Sequence, residues 1–456
     1  MLKRRDMLSA LVAAAVGSQV APITAFAQSG EGKRRIPWRN WSGLQECFPE
    51  ARKAPGSVAE LQELLASTQG TVRPVGAGHS FMPLVPTDDT IVSLSRLSGV
   101  VDHDEQTLQA TIMAGSRLGD IGAPLSERGQ ALINMPDIDQ QSLAGCLGTA
   151  THGTGAGLMC LSAYATGLQL ATADGELIDC DANTNSDIFE AARVSIGSLG
   201  IITKVRMQNQ APYRLRRERV FRDFDEILDI AQDLADKHRN FEFYYVPFSG
   251  MGWTDVHDLT DEPYLETEKI DDNEEAMALK TARDWLSWSP ALREVILGGY
   301  AKTLSTEVTI ERSWKNYASE RNVRFNEMEY HLPRETGLQA LREVREAIET
   351  QHHEVFLPLE VRFIKGDDLW LSPFTGRESI SIAVHRFFEE DHEPLFKTIE
   401  PILRKYEGRP HWGKLNTLGP DELRALYPRW DDFVAVRKQL DPNGRFLNDY
   451  LRGLFA

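Results

Sequence analysis

A histidine within a short glycine-rich run is the residue whose surroundings most suggest chemistry. The run is VGAGHSF, residues 75–81. Glycines let the backbone turn tightly and approach a ligand, and successive N–H groups of such a loop can cradle a pyrophosphate. His79, neutral in a good fraction of molecules at pH 7, could act as a nucleophile or as a base. The alternative is a glycine turn beside an unrelated histidine.

The usual dinucleotide-binding fingerprint is incomplete in this loop. Its third glycine is missing at Phe81, and the surrounding residues show no clean β-α-β pattern. A generic dinucleotide-binding fold is therefore disfavoured.

A second run of small residues, QSLAGCLGTATHGTG, occupies residues 141–155. Small side chains permit close contact with a flat or phosphorylated ligand, and the hydroxyl and N–H groups supply hydrogen bonds. A packed turn region is the alternative interpretation. Two such loops in one domain favour a nucleotide cofactor more than either loop does alone.

Opposite charges lie two residues apart in the apolar segment LEVRF, residues 359–363. In a strand, Glu360 and Arg362 point to the same face. Such a pair in an apolar strand suggests a pocket, and a surface ion pair is the alternative.

Two further residues are candidates with plain alternatives. His385 lies in the strand-like run IAVHRF, where a histidine is more often a core residue with its hydrogen bonds satisfied or a surface residue. Lys414 lies in HWGK, and the alternative for it is a surface lysine at the end of a helix. No metal site is expected, because His352-His353-Glu354 lacks HExxH spacing and no cysteine pair has CxxC spacing.

These residues need elements to position them. Residues 34–208 are rich in small residues and contain short β-type runs at 90–94, 168–172 and 200–205. Asp174-Gly175 predicts a hairpin turn. Residues 57–67 and 116–129 predict helices beginning at serine.

The rest of the chain is more charged. Strands are predicted at 240–246, 323–330, 354–364 and 379–386, alternating with helices such as 335–351. This order favours a second α+β domain built on an antiparallel sheet. The last forty residues predict helices followed by a Pro-Asn-Gly turn.

Composition limits the function classes. The chain has 456 residues, 42% of them hydrophobic and 26% charged, with a formal net charge of −17. This composition is typical of a globular protein, and the acidic net charge argues against a broad basic face that binds nucleic acid. No stretch after the N-terminus has 18 consecutive apolar residues, so we expect no stable membrane span.

The N-terminus has the pattern of an export signal. Lys3, Arg4 and Arg5 precede an apolar run at 8–16 and the small-residue site Ala25-Phe26-Ala27. The arginine pair predicts a twin-arginine signal peptide over residues 1–27, with an ordinary Sec signal as the alternative. The protein is then expected to be periplasmic or secreted, or attached to a membrane peripherally.

Taken together, the motifs resemble one family of flavoproteins. VGAGHSF, SLAGCLGTATHGTG, GSLGIIT, Glu329-Tyr330, LEVRF, WLSP, HWGK and DPNGRFLN occur in the order of the vanillyl-alcohol-oxidase class, whose FAD domain is called PCMH-type. Within this class the chain is most similar to alditol oxidases and to sugar-1,4-lactone oxidases of the D-arabinono-1,4-lactone oxidase kind.

The resemblance implies an α+β architecture. A two-subdomain PCMH-type FAD-binding domain is expected at 34–208, a substrate or cap domain with an antiparallel sheet at 209–415, and a segment returning to the FAD domain at 416–456. The resemblance also implies that His79 binds the FAD covalently. The residues that it implies for cofactor binding are Val75, Gly76, Ala77, Gly78, His79, Ser80, Phe81, Asp137, Ser142, Gly145, Thr149, Ala150, Thr151, His152 and Ile202.

The implied reaction is oxidation of a CH–OH group of a polyol or sugar-1,4-lactone by hydride transfer to flavin N5. Arg362 would stabilise the reduced flavin or the substrate oxygen, sharing this electrostatic task with Lys414, while Glu360 and His385 would bind substrate hydroxyls. The proton acceptor is either Lys414, held neutral, or His385.

One departure from the alditol oxidases concerns the electron acceptor. Pro136-Asp137 stands where they carry Ala-Ser, at positions that gate oxygen and contact substrate. The expected electron acceptor is therefore either oxygen or another molecule, namely a quinone or a cytochrome. Two alternatives to an oxidase remain: a periplasmic sugar-lactone dehydrogenase, and a non-catalytic sugar-binding protein.

Overall fold

The structure is a computed structural model that describes residues 35–266, 272–319 and 322–456. The predicted signal peptide, residues 1–27, lies outside the described residues. Within the described ranges, no helix combines the length and the apolar character that crossing a bilayer requires.

The chain begins with a hairpin and a small parallel sheet. The elements are β1 (Trp38–Arg39), β2 (Glu46–Cys47), β3 (Ala51–Lys53), α1 (Val58–Ser67), β4 (Val72–Val75) and β5 (Thr90–Ser93). The helix predicted at 57–67 is confirmed by α1. The Ser57 side chain caps this helix by accepting a hydrogen bond from the Glu60 N–H.

The expectation that no β-α-β pattern surrounds the glycine loop is wrong in part. β3 and β4, joined by α1, both pair in parallel with β5, which lies between them. The glycine loop follows β4 directly, but no helix follows the loop before β5. The unit is therefore too short to form the usual dinucleotide-binding arrangement.

A six-stranded antiparallel sheet completes this half of the molecule. Its strands are β6 (Val100–Asp104), β7 (Gln109–Met113), β8 (Ala131–Leu132), β9 (Ala165–Ala171), β10 (Leu177–Asp181) and β11 (Ile201–Gln210), in the order β10-β9-β11-β7-β6 with β8 on the end of β11. Around it lie α2 (Leu118–Glu127), α3 (Leu143–Gly148), a 3₁₀ turn (Leu161–Tyr164) and α4 (Ser186–Ala192).

Two local predictions in this half can be compared with the structure. The hairpin at Asp174-Gly175 is confirmed, since β9 and β10 pair across it and Gly175 has φ +86°. The helix predicted from Ser116 begins two residues later, at Leu118. The Ser116 hydroxyl instead donates to the Met113 carbonyl, at 2.7 Å, and accepts from the Gly99 N–H, at 2.9 Å.

The second half is built on an eight-stranded antiparallel sheet. Its strands are β12 (Arg214–Asp223), β13 (Asn240–Val246), β14 (Met251–Thr260), β15 (Glu307–Arg312), β16 (Phe325–Pro333), β17 (Leu359–Ile364), β18 (Ser379–Phe387) and β19 (Arg409–Pro410), in the order β15-β12-β14-β13-β17-β18-β16-β19. Its helices are α5 (Phe224–Lys237), α6 (Asp272–Leu286), α7 (Pro290–Ala301), α8 (Ser313–Tyr317), α9 (Arg334–Gln351) and α10 (Glu393–Lys405).

This sheet confirms the predicted α+β class and its antiparallel second sheet. One boundary differs: β17 begins at Leu359, whereas a strand was expected from Glu354. His352 ends α9, and its ring Nδ1 lies 3.2 Å from the Glu354 carboxylate in the connecting segment. These residues therefore form a local pair at a helix end rather than part of a strand.

The last residues form three helices, α11 (Pro420–Leu426), α12 (Trp430–Leu440) and α13 (Asp449–Phe455). The segment between α12 and α13 lies against the first half of the chain. The Arg445 carbonyl accepts from the Val72 N–H at 2.8 Å, and the Arg445 guanidinium donates to the Thr68 carbonyl at 2.6 Å. The buried guanidinium of Arg73 donates in return to the Phe446 carbonyl and to the Gly197 carbonyl.

Candidate active site

Strand register places a row of charged side chains on one face of the eight-stranded sheet. On β17, Arg362 lies opposite Glu242 of β13 and Ser381 of β18, and Glu360 lies opposite Tyr244. Because side chains two residues apart share a face, Glu242, Tyr244, Glu360 and Arg362 converge. All four are buried.

Arg362 is the centre of this cluster. Its guanidinium lies 2.9 Å from the Asp137 carboxylate, donates to Glu242 at 3.3 Å, and donates to Glu360. The Tyr244 hydroxyl donates to the Glu360 carboxylate at 2.5 Å. Burial alone would lower the pKa of Arg362, but the three carboxylates hold it well above its usual range. The cluster therefore contains one permanent cation within a ring of acids.

Glu242 differs from its neighbours in its proton affinity. Burial raises the pKa of Glu242 to about 7, and the attraction of Arg362 only partly opposes this effect. Glu242 is therefore a carboxyl group that can gain or lose a proton near neutral pH.

A cavity of about 1510 Å³ lies against this face of the sheet. Asp137, Glu242, Tyr244 and Arg362 line it, together with His385. Glu360 is buried next to them, with its carboxylate held by Tyr244 and Arg362. Of the acids next to Arg362, Asp137 and Glu242 thus face the space where a substrate could lie.

Sequence reasoning missed Glu242 and Tyr244. The signal was present in NFEFYYV, residues 240–246, where an acid and a tyrosine two residues apart interrupt an aromatic strand. That alternation resembles the one in LEVRF, and it predicts a shared face in the same way.

A second acidic residue that sequence reasoning missed, Glu327 of β16, links Lys414 to His385. The Lys414 ammonium forms an ion pair with the Glu327 carboxylate, whose other oxygen lies 3.7 Å from His385 Nε2. His385 Nδ1 lies 2.9 Å from the Pro358 carbonyl oxygen, so Nδ1 carries a proton and Nε2 is the atom left to exchange one.

The two glycine-rich loops line a separate cleft, which Lys414 also lines. The predicted cofactor residues in its lining are Val75, Gly76, Ala77, Gly78, His79, Ser80, Ser142, Gly145, Thr149, Thr151 and Ile202. A Cβ atom on Gly76 would lie 2.0 Å from the Ser142 hydroxyl oxygen. A larger residue at position 76 would force Ser142 to move, so glycine suits this close approach of the two loops.

His79 projects into this cleft in a form suited to nucleophilic attack. Its ring stacks on Trp41, with centroids 5.3 Å apart. Burial lowers the pKa of His79 to about 4, and the positive charges of Lys414 and Arg117 add to the effect. The imidazole is therefore neutral at physiological pH, with a lone pair available on one nitrogen.

Four residues assigned to the cofactor lie elsewhere. Phe81 packs in an apolar cluster against Trp41 and Phe325, and Asp137 lines the large cavity. Ala150 is fully buried, and His152 donates from Nε2 to the Glu329 carboxylate at 3.0 Å. None of these four is among the residues that line the cleft.

His152 belongs to a buried cluster with Glu329 and His331, whose potential ligand atoms lie within 4.8 Å of one another. The Glu329 carboxylate already accepts from the Ser381 hydroxyl, and the Lys414 ammonium lies 3.9 Å away. Burial alone would raise the pKa of Glu329, but His152, His411 and Lys414 hold it well below its usual range. His152 and Ser381 therefore hold the Glu329 carboxylate by hydrogen bonds near Lys414, whereas the ring nitrogens of His331 have no hydrogen-bond partner among the described residues.

Known protein families and relatives match this chain over most of its length. A family model described as D-arabinono-1,4-lactone oxidase matches residues 205–454, and one described as FAD binding domain matches residues 49–181. The chain is 36% identical over 426 residues to L-gulono-1,4-lactone dehydrogenase of Mycobacterium tuberculosis, covering 91% of this chain and 98% of that protein. It is 26% identical to alditol oxidase of a Streptomyces species, covering 91% and 98%.

Solved structures with the same fold include cholesterol oxidase from B. sterolicum. It superposes with a TM-score of 0.74 at 18% sequence identity, covering 96% of this chain and all of that one. A solvent-stable cholesterol oxidase superposes with a TM-score of 0.77, also at 18% identity, covering 92% of this chain and 98% of the other. At this identity the likeness shows the PCMH-type fold alone.

Proposed function

Because this chain belongs to the D-arabinono-1,4-lactone oxidase family and is an FAD-dependent oxidoreductase acting on CH–OH donors, we propose that it oxidises a sugar-1,4-lactone or a polyol in the large cavity. The observation that carries the proposal is Arg362 within its ring of carboxylates, where Asp137, Glu242 and Arg362 face the cavity. A hydroxyl-rich donor can give hydrogen bonds to the acids and receive them from Arg362.

The charged residues of the site have different roles in the proposed reaction. Bound FAD supplies the hydride acceptor. Arg362 and Lys414 would stabilise negative charge that develops on the reacting oxygen or on the bound cofactor, since both are cations held in place by buried carboxylates. Glu360, tied to Tyr244 and Arg362, orients the guanidinium.

We propose His385 as the proton acceptor, in preference to Lys414. The Lys414 ammonium already forms an ion pair with Glu327, and an ammonium group has no lone pair that could accept a proton. His385 lines the cavity and has Nε2 free of the carbonyl bond that occupies Nδ1. A proton taken up at Nε2 would lie beside the Glu327 carboxylate.

We also propose that His79 holds the FAD covalently. Its neutral imidazole in the glycine-lined cleft supports this assignment, because the lone pair can form the bond. The test is to precipitate the protein with acid and to analyse its peptides by mass spectrometry. We expect flavin on the peptide that contains His79, and an unmodified peptide with free FAD in the supernatant would refute the link.

The electron acceptor is proposed to be a molecule other than oxygen. Pro136 is buried between Met135 and Asp137, both of which line the cavity. A proline ring at this position fills space and fixes φ, and it thereby narrows the path to the flavin edge.

Export to the periplasm is proposed from the N-terminal sequence alone. Arg4 and Arg5 precede the apolar run and the small-residue site at 25–27. Replacing both arginines by lysine should hold the precursor inside the cell, and normal export of that double variant would argue for a Sec signal.

The experiment that tests the function is anaerobic mixing of the oxidised holoenzyme with a panel of sugar-1,4-lactones and alditols. Bleaching of the flavin absorbance reports reduction without any choice of acceptor. We expect at least one panel member to reduce the flavin with saturation kinetics. A holoenzyme that no lactone or alditol reduces would refute the proposal.

A further inference from the structure

The large cavity has two unlike parts. Its inner part is the charged region at Asp137, Glu242 and Arg362. Its outer part, called the outer chamber here, is lined by apolar side chains of α6, of α7 and of the segment that follows α7, namely Leu279, Trp285, Leu286, Ile296, Leu297 and Leu304. The sheet contributes Phe221 and Trp253 to the lining, together with the paired arginines Arg217 and Arg219.

The size and polarity of the proposed alcohol substrate do not account for the outer chamber. The cavity measures about 1510 Å³, which exceeds the roughly 300–1,000 Å³ that pockets for drug-sized ligands occupy. A single sugar lactone or alditol is smaller than such ligands and carries no apolar chain. Most of the apolar wall would remain in contact with water if the donor were the only ligand.

The electron acceptor is the other ligand that must reach the same edge of the cofactor. Oxygen does not need a chamber of this size, and a cytochrome is too large to enter one. A small acceptor with an apolar chain would use both parts of the cavity, because its head needs polar contacts and its chain needs an apolar wall.

The mouth of the chamber is apolar as well. Trp285 is 50% exposed and Ile296 is 47% exposed, and Trp288 in the connection between the two helices and Val295 on α7 are more exposed still. An aqueous donor gains nothing from such a rim, whereas an amphiphilic ligand gains apolar contact on its way in.

We propose that the outer chamber binds the apolar side chain of a quinone, which is the electron acceptor of this enzyme. The assignment rests on the proposed function, since it assumes that a small polar alcohol is the donor. In the acceptor step two electrons and two protons, originally taken from the alcohol, pass to the quinone. Its two carbonyl oxygens become the hydroxyls of a quinol, and the cofactor returns to its oxidised state.

The first test is a binding measurement that needs no turnover. The oxidised holoenzyme is titrated with a benzoquinone carrying a decyl chain and with the same benzoquinone carrying a methyl group instead. Quenching of tryptophan fluorescence gives the two dissociation constants, because Trp285 and Trp253 line the chamber. We expect the decyl compound to bind at least about 100-fold more tightly, since each buried methylene contributes about a factor of four and burial of three or four of the nine additional methylenes is enough for that ratio.

Gly299 of α7 allows the chamber to be blocked. It lines the cavity, and a Cβ atom added there would meet no other heavy atom within 4 Å. Gly299→Trp should reduce the decyl-to-methyl ratio to near one. Gly453→Trp is the matched control, because Gly453 lies in α13, has the same open surroundings, and is not part of the cavity lining. It should keep the ratio of the natural protein.

A milder variant keeps the test valid if Gly299→Trp fails to fold. Leu297→Asn places an amide on the apolar wall and should lower the ratio at least several-fold. The same ratio is then measured for reoxidation of the pre-reduced holoenzyme by the two quinones.

Three results would overturn the proposal. They are equal affinity for the decyl and methyl quinones, a chain preference that neither Gly299→Trp nor Leu297→Asn alters, and a chain preference found for an alkylated alditol but not for the quinone. Because quinone binding is measured without a donor, its failure can be distinguished from a failure of the lactone or alditol panel.

Discussion

At the scale of single residues, the site depends on how a few charges are compensated inside the protein. Arg362 faces Asp137, Glu242 and Glu360, and Lys414 faces Glu327. Each cation is therefore held in one place before a substrate arrives. Such preorganised charges stabilise a developing anion without the reorganisation that water would need.

The two cations should matter for the rate of the chemical step. Removing one preorganised donor costs about 10²–10³ in rate. We therefore expect Arg362→Ala and Lys414→Ala each to slow anaerobic flavin reduction by on the order of that factor, as measured by stopped flow. Lys397→Ala, on the exposed side of α10, should reduce at the natural rate. Natural rates in both site variants would contradict the assignment.

Glu242 should make the stability of the fold depend on pH. Its pKa is raised to about 7 by burial, so the native state favours the protonated form. A raised native pKa gives stability that is present in full below the unfolded value of about 4.3 and is lost as pH rises through the native value. Urea unfolding at pH 5 and pH 8 should show this loss, on the order of 2–3 kcal/mol for this carboxyl group.

Glu242→Gln should remove that part of the pH dependence, because the amide does not ionise. Glu346→Gln, at an exposed position of α9, is the control and should keep it. An unchanged difference between pH 5 and pH 8 in the Glu242 variant would mean that another group carries the effect.

At the scale of elements, three neighbouring strands and one loop build the site. β13, β17 and β18 bring Glu242, Arg362 and His385 to one face of the sheet. The loop that carries Asp137 reaches this face from the first half of the chain. Pro136 stiffens that loop at the point where the cavity begins.

Pro136→Gly tests whether this loop restricts oxygen. With the ring removed and φ released, we expect the pre-reduced holoenzyme to reoxidise faster in air-saturated buffer than the natural protein does. Pro428→Gly, at an exposed position between α11 and α12, should leave the rate unchanged. The proposal that Pro136 restricts oxygen would be contradicted if the natural protein reoxidised fast and Pro136→Gly reoxidised no faster.

At the scale of the whole molecule, the end of the chain holds the cofactor half together. The Arg445 guanidinium donates to the carbonyl oxygens of Leu65, Thr68 and Ala173. These carbonyls belong to the end of α1, to the residue that follows it and to the β9–β10 turn region. One side chain near the C-terminus therefore joins both subdomains.

Arg445→Met should destabilise the protein and leave the active site chemistry intact. An unsatisfied buried polar group costs about 1–3 kcal/mol, and three carbonyls lose their donor, each only partly buried. We expect a loss on the order of 2–4 kcal/mol in unfolding free energy, measured by urea titration. Lys438→Met, exposed on α12, should change it little. A stable Arg445 variant would show that the helices alone hold this segment.

Much of the fold and part of the site follow from local sequence. The Ser57 cap, the Asp174-Gly175 turn and the shared face of Glu360 and Arg362 each depend on residues a few positions apart. Spacing is informative at this range because helices and strands repeat every few residues. The cofactor class and the family followed from the order of several such motifs.

Tertiary structure alone decided which partners these residues meet. Arg362 contacts Glu242, which lies 120 positions away in the sequence, and Lys414 contacts Glu327, which lies 87 positions away. Such pairs depend on strand order and register, which no local spacing encodes. For the same reason local spacing could not show that Glu242 and Tyr244 share the face of Glu360 and Arg362. The outer chamber likewise exists only because α6 and α7 lie over a sheet whose strands are far apart in the chain.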